Sequence, residues 1–253
     1  MAKVRGFLKL QGSMGETTFM KQKNGNNWRS QDKLVISPDR FKSDPKFARV
    51  RENATEFTRA AHGGALIRDS ISSLVKDVKD KNLSSRMFAK LMEVIKSDVI
   101  SPRGGGNLVD GNLTLLEGFR FNPAAQLTKV LTPLIATTVD RVTGHMTAVI
   151  PVFVPTLELN TPAGATHFQF VSAGIEVDFE LGTFKTDIQK GLQQLIQPAP
   201  TVALTLTHTL TPNSTHPLLL VFGIRFFALS GAVMSPMLNA ATNVLEIVAV
   251  SKA

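Results

Sequence analysis

The stretch Pro102-Arg103-Gly104-Gly105-Gly106-Asn107 divides the chain into two kinds of sequence. Three consecutive glycines offer no side chains to pack and lose the most backbone entropy on ordering, so residues 102–112 read as a linker. Beyond it the hydrophobic period is that of strands. Ile175-Glu176-Val177-Asp178-Phe179 alternates apolar and acidic residues, which predicts a half-buried strand with its carboxylates outward. Leu113 to Leu116, Phe119 to Phe121, His167 to Val171, Val202 to Thr207, Leu218 to Leu229 and Val244 to Val250 read as further short strands. Ile135 to Val139 and Met146 to Val154 form a hairpin about Asp140-Arg141-Val142-Thr143-Gly144. Pro151, Pro155, Pro162, Pro198, Pro200, Pro212 and Pro217 fall at strand ends, where a missing N–H is tolerated. This spacing predicts an antiparallel β-sandwich over 113–253.

Before the glycines the period is helical, over 44–101. Ser43 or Asp44 is the expected N-cap, with Pro45 at the first helical position. Phe47, Val50, Ala54 and Phe57 recur on one face, and Arg49, Glu52, Glu56 and Arg59 on the other, up to a stop at His62-Gly63-Gly64. A second helix is expected from Ala65 with Leu66, Ile71, Leu74, Val75 and Val78 inward. A third runs from Ser84 to Ser97 on Phe88, Leu91, Met92 and Ile95. Together they have the makings of a small bundle of their own.

Residues 1–43 read as a basic extended arm with spaced glycines (Gly6, Gly12, Gly15). Thr17 to Lys21 and Trp28-Arg29 flank Asn24-Gly25, the signature of a type I′ hairpin turn. Only Phe7, Leu8, Leu10, Phe19, Met20 and Trp28 are available to bury, and a lone hairpin is marginal in water. These six residues are therefore candidates for an interaction arm that anchors on other protein. The fold class is α+β: arm and hairpin, short helical segment, C-terminal sandwich.

The formal charge of +8 is uneven. Residues 1–51 hold 12 Lys and Arg against 4 Asp and Glu, whereas residues 111–253 hold 7 against 8. Such asymmetry points to an acidic partner, either nucleic acid or another subunit. Lys21, Lys23, Arg29, Lys42, Arg49 and Arg51, with Lys33, Arg40 and Lys46 among them, are the candidate phosphate contacts. Phe19, Trp28, Phe41 and Phe47 interleave with them, and a planar ring stacks on an unpaired base as well as on protein. Both readings stay open.

A cysteine count of zero excludes disulfides, thiolate metal sites and Cys nucleophiles. Met1 to Arg5 is not followed by an apolar run, so no signal peptide is expected. The longest apolar run, Pro217 to Leu229, is broken by Gly223 and Arg225 and falls short of the roughly 20 residues of a membrane helix. The expected setting is cytoplasmic or virion-associated, with no membrane partner.

Motifs for chemistry are sparse. His62, His145, His167, His208 and His216 lack helical metal-site spacing, although His208 and His216 flank a polar loop where they could meet. Glu176, Asp178 and Glu180, at i, i+2 and i+4, fall on one face of one strand, which suits a general acid/base pair or a calcium site, or else the solvent-facing side of a half-buried antiparallel sheet. The loop Asn213 to His216 is the place for a hydrolase or lectin-like site. No dinucleotide, phosphate-loop or Gly-x-Ser-x-Gly pattern occurs. The expectation is no catalytic, metal or cofactor-binding residues, no small-molecule substrate, and no enzyme.

The pattern Gly12-x2-Gly15-x3-Phe19-x-Lys21, Gly25, Arg29, then Asp44-Pro45-x-Phe47-Ala48-Arg49-x-Arg51-Glu52-Asn53-x2-Glu56-Phe57 resembles uncharacterised proteins of Bacteroidota and their phages. It covers about the first 70 residues. The resemblance implies a basic glycine-containing arm and short helices ahead of a β domain, in a bacterial or phage setting, and brings no activity with it. The functional expectation is a non-enzymatic structural protein that self-assembles through its arm as a homo-oligomer or larger, virion-like assembly. The alternative is a nucleic-acid-binding protein that uses the basic half.

Overall fold

The computed structural model describes residues 12–21, 28–32, 36–78, 80–237 and 243–252. The chain falls into two units, residues 1–51 and 52–253.

In the first unit β1 (Gly12–Met14), β2 (Thr17–Lys21) and β3 (Trp28–Asp32) form an antiparallel sheet in that order. Met14 lies opposite Thr17, so Gly15-Glu16 is a two-residue turn, and Gly15 supplies the positive φ (59°) such a turn requires. β2 and β3 pair from Thr17↔Asp32 to Lys21↔Trp28, as the hairpin reading expects, while its Asn24-Gly25 turn lies outside the described residues. The arm is not extended to residue 43. Helix α1 (Pro38–Ser43) intervenes, started by Ser37, whose Oγ accepts from the Arg40 N–H, and by Pro38 in the first turn. Asp44 then caps a 3-10 turn, Pro45–Phe47, that leads into α2 (Ala48–Ser70). Among residues 12–51 whose burial is described, which leaves out Trp28 and Arg29, none is buried.

In the second unit α2 runs through Gly63-Gly64 without stopping. The two glycines are a packing notch rather than a cap. A Cβ on Gly63 would sit 2.4 Å from Leu108 Cδ1, and one on Gly64 3.2 Å from Met87 Cγ. The expected break at 62–64 is therefore corrected by close helix packing. There follow α3 (Ser72–Val75) and α4 (Leu83–Lys96), the latter burying Met87, Leu91, Met92, Val94 and Ile95. Next come α5 (Leu127–Val130), β4 (Ala136–Asp140), β5 (His145–Ile150), α6 (Pro155–Glu158), β6 (His167–Asp178), β7 (Thr183–Lys190) and β8 (Gln194–Leu195). The chain ends with β9 (Leu204–Thr209), β10 (Leu218–Ser230), β11 (Val233–Pro236) and β12 (Val244–Ser251).

Residues 102–112 do not link two bodies. Arg59 donates through one guanidinium nitrogen to the carbonyls of Gly105 and Gly106, both at 2.7 Å. The Asp98 carboxylate collects the N–H groups of Ile100, Ser101 and Asn107. A Cβ on Gly111 would approach the Val94 carbonyl oxygen to 2.4 Å. The glycines permit close approach to helices, so the triplet is a packed corner. Leu113–Leu116, read as a strand, is a 3-10 turn that buries Leu113 and Leu116, and Phe119–Phe121 keeps only a bridge, Arg120↔Glu246.

All strand pairing among the described residues is antiparallel, and the α+β class holds. The larger sheet runs β11-β10-β6-β7, with β12 also on β10 and β8 on β6; a second sheet runs β4-β5-β9. β6 and β10 pair from Leu218↔Glu176 to Phe227↔His167 without interruption. Ser172-Ala173-Gly174 thus continues a strand that the sequence reading stopped at Val171.

Alternation along this pair sends side chains to two interiors. Val171, Ala173, Ile175 and Val177, with Leu219 and Val221, share one apolar cluster with Ile67, Ile71, Leu91 and Ile95 of the helices. Phe168, Phe170, Leu218, Leu220, Phe222 and Ile224 share another with Met146, Ala148, Ile150 and Leu206 of the second sheet. Burial on both faces explains why Leu218 to Ala228 is almost continuously apolar instead of alternating. It also corrects the idea of a self-contained helical bundle, since the helices spend their apolar stripe on the sheet. Arg225, on the helix side of β10, pairs with Asp77 at 3.0 Å.

Candidate functional site

The basic arm places its candidates unequally. Lys21 is exposed at the end of β2, Lys42 on α1 and Arg49 near the start of α2. Arg51 differs from these. Its guanidinium donates to the carbonyl oxygens of Phe41 (2.6 Å) and Asp44 (3.1 Å), beside a Phe41–Phe47 ring pair with centroids 5.6 Å apart. It clips α1 to the start of α2 and is spent on structure. Arg40 pairs with Asp44 at 3.3 Å. The Asp44 carboxyl is held below its ordinary range first by the Lys46 N–H, against the opposing push of desolvation, with Arg40 and Arg51 adding to the lowering.

The apolar candidates fare similarly. Phe19 is half-buried on the β2 face that also carries Thr17 and Lys21, with Gly12 opposite it on β1. Met20 and Met14 are exposed, at 43% and 67%. Trp28 and Arg29 lie on β3 by their backbone, opposite Lys21 and Met20. Phe7, Leu8, Leu10 and Lys23 lie outside the described residues. What the structure brings together in the arm is a small sheet and two capped turns carrying exposed cations and exposed methionines.

The acidic candidates on β6 separate. Glu176 is not outward but buried at 7% exposure, accepting from Ser214 Oγ at 2.5 Å and from the Thr211 N–H at 3.3 Å. Burial pushes its carboxyl up, and the donors from Ser214 and Thr211 outweigh that, so it sits below the ordinary carboxylate range. Asp178 caps the β6–β7 turn through the N–H groups of Glu180 and Leu181. Glu180, past the end of the strand, is exposed. The spacing expected to put three carboxylates on one face fails because β6 ends at Asp178.

His208 and His216 do not meet. His208 is fully buried against Ser172, while His216 Nε2 lies 3.8 Å from Asp178 Oδ2. Ser214 gives its hydroxyl to Glu176 and receives the His216 N–H, so a hydroxyl nucleophile with an imidazole base is not assembled. Arg141 adds bonds to the carbonyls of Ser214 (2.8 Å) and His216 (3.2 Å) and to Ser251 Oγ (2.8 Å). The loop 211–216 is thereby a clamp that closes one end of the sheet, with Asn213 at φ 52° in its bend. No group of three or more metal-ligating side chains occurs among the described residues.

One juxtaposition escaped the sequence reading. Thr58, Arg59 and His62 of α2 meet Asn107, Phe179 and Glu180 around an open cleft of about 350 Å³. Two of its lining residues, Leu108 and Phe179, also approach the Gly63 notch. Its polar groups are largely committed: Arg59 to the 105–106 carbonyls, and Asn107 to Asp110 and Ser101. No local signal joins residues so far apart in sequence.

No helix of the described residues is long and apolar enough to cross a membrane. Comparisons with protein-family models, with curated proteins and with solved structures find no match to this chain.

Proposed function

We propose that this chain is a non-enzymatic structural subunit that assembles by laying its N-terminal arm on another copy of itself. One observation carries the reading: residues 12–51 hold strands, turns and capped helices, yet no side chain there whose burial is described, a set that leaves out Trp28 and Arg29, is buried. Ordering a residue's backbone costs roughly 1–2 kcal/mol, and a sheet without an interior does not recover it alone. Exposed Met14, on the face of the small sheet that carries Phe19, and exposed Met20 on the other face provide the apolar part of such a contact, and Lys21, Lys42 and Arg49 the polar rim. A virion-like setting is part of the proposal, supported by the resemblance of the first 70 residues to proteins of Bacteroidota and their phages. So is the reading of the body as a sandwich of two sheets, supported by the apolar cluster they share.

The experiment is to remove residues 1–43 and measure molar mass by light scattering beside the full chain. Loss of the oligomer is expected, and an unchanged number of subunits, mass divided by the mass of the shortened chain, refutes the arm. A second reading, nucleic-acid binding, is favoured by the exposure of Lys21, Lys42, Lys46 and Arg49. It requires retention on DNA at low salt that weakens steeply as salt rises.

A further inference from the structure

His208 is a titratable side chain in the middle of the body, and its surroundings fix its protonation. It lies on β9 with no solvent exposure, between the second sheet and β6. Ser172 Oγ has one proton, which it gives to the Val221 carbonyl oxygen at 2.8 Å. Its contact with His208 Nε2 at 2.9 Å must therefore be a bond that the imidazole donates. Nε2 thus carries a proton in either charge state. Nδ1 is buried and without a hydrogen-bond partner among the described residues, so a second proton there would have no acceptor, and the environment favours the neutral ring with its proton on Nε2.

We propose that His208 is an acid-sensitive latch between the two sheets: its neutral ring holds β9 on β6 through Ser172, and proton uptake at Nδ1 frees β9. A proton there would place a charge inside the body next to no acceptor. The charged and titratable neighbours do little to offset it. From β7, Asp187 and Lys185 face the same side, opposite Gly174 and Glu176. The Asp187 carboxylate already accepts the Thr209 N–H at 2.8 Å and Gln189 Nε2 at 2.9 Å. From β6 comes Glu176, held by Ser214 and Thr211; from β5, His145, next to Met146, which lies opposite His208. β10 offers only Leu220 and Phe222 behind Gly174 and Ser172. Burial drives the imidazole below its ordinary value and Asp187 opposes it only in part.

The sign follows. The folded pKa is depressed, so the unfolded chain binds the extra proton first, and stability present above about pH 6.5 is lost as pH falls toward the folded value. The folding equilibrium constant falls by up to about tenfold per pH unit in that window.

The test joins imidazole ¹⁵N spectra of the full chain with amide hydrogen exchange, from about pH 8 down to about pH 5. The expected result is an Nε2–H tautomer that resists protonation below the ordinary imidazole range, with amides of β9 opening before those of β6 and β10 as pH falls. In His208→Gln, whose amide N–H can still reach Ser172, the acid-dependent opening of β9 disappears. An ordinary or raised titration, or β9 amides that open only together with the whole body, overturns the latch. If His208→Gln does not fold, the titration and exchange of the natural chain decide the matter by themselves.

Discussion

The sheet built on β6 and β10 and the sheet β1-β2-β3 are both antiparallel, and they differ in what lies on their faces. The first is covered by helices on one side and a second sheet on the other, with Phe168, Phe170, Phe222 and Phe226 fully buried. The second has no buried side chain among those whose burial is described, Trp28 and Arg29 being outside that set. A hydrogen-bond ladder is common to both, so ladder formation is not what distinguishes a self-sufficient sheet. Apolar area removed from water is, at about 25 cal/mol per Å². Stability should therefore reside in the body, and on the proposed reading the arm contributes association rather than stability.

That contrast breaks most easily with a core ring. Phe170 is 1% exposed and packs with Phe153, Phe168 and Phe222 at centroid separations of 5.9, 5.3 and 5.6 Å. Phe170→Ala should cost about 3–5 kcal/mol in chemical denaturation, whereas Phe19→Ala in the arm should leave the body's transition within about 0.5 kcal/mol. Comparable losses at the two sites would mean that the arm is a part of the body's core.

A smaller effect tests the notch. In Gly63→Ala the new methyl group meets Leu108 Cδ1, the far end of a flexible side chain, while Phe179 Cε1 waits at 3.3 Å. Overpacking of this kind costs about 1–3 kcal/mol, and the roughly 1 kcal/mol that Ala gains over Gly inside a helix leaves a net loss of about 0–2 kcal/mol. A net gain in stability would show that Gly63 is dispensable to the fit of α2.

Of comparable size is the clamp at Glu176. Ser214→Ala leaves a buried carboxylate short of a donor, which should cost about 1–3 kcal/mol at neutral pH. Its pH dependence has a definite sign. Glu176 has its folded pKa lowered, so it stabilises the fold above the ordinary carboxylate range and that contribution fades as pH falls below it. The variant should therefore lose part of the acid sensitivity seen in the natural chain. Equal slopes of stability against pH would remove Glu176 from the account.

How much of this was legible in the sequence depends on whether the cause is local. The cap at Asp44-Pro45, the stripe of α4 and the β2–β3 pairing are set by neighbours within a few residues and read directly. Gly63-Gly64 and Gly104-Gly106 were misread because a glycine that permits a turn and one that permits close packing look the same in sequence. Only Leu108, Met87 and Arg59, brought in by the fold, tell them apart. Glu176 looked outward because alternation assumes a sheet with one wet face, and here both faces are dry. α1 was missed although Ser37-Pro38 announced it, because a short basic segment offers no apolar stripe to follow. Among the site candidates, only the cationic residues were legible as a group, since charge is visible without a fold. That Arg51 is consumed by the carbonyls of Phe41 and Asp44 was not.

The smallest expected change in stability carries the sharpest test of the arm. Lys42 and Arg49 are exposed, and no ion pair involving either occurs among the described residues. The double substitution Lys42→Glu with Arg49→Glu should shift stability by no more than about 0.5 kcal/mol. If the arm meets an acidic partner, the same two changes reverse the local field and should weaken that association, the more so at low salt. Arg51→Glu supplies the contrast within the arm, because it removes donors to two carbonyl oxygens and should loosen the junction of α1 and α2 whether or not a partner is present. Light scattering and DNA retention then separate the outcomes. Lost assembly with unchanged DNA behaviour favours a protein partner, and lost DNA retention at unchanged mass favours phosphate. An arm that tolerates the double reversal in both assays would have its charge for solvation alone.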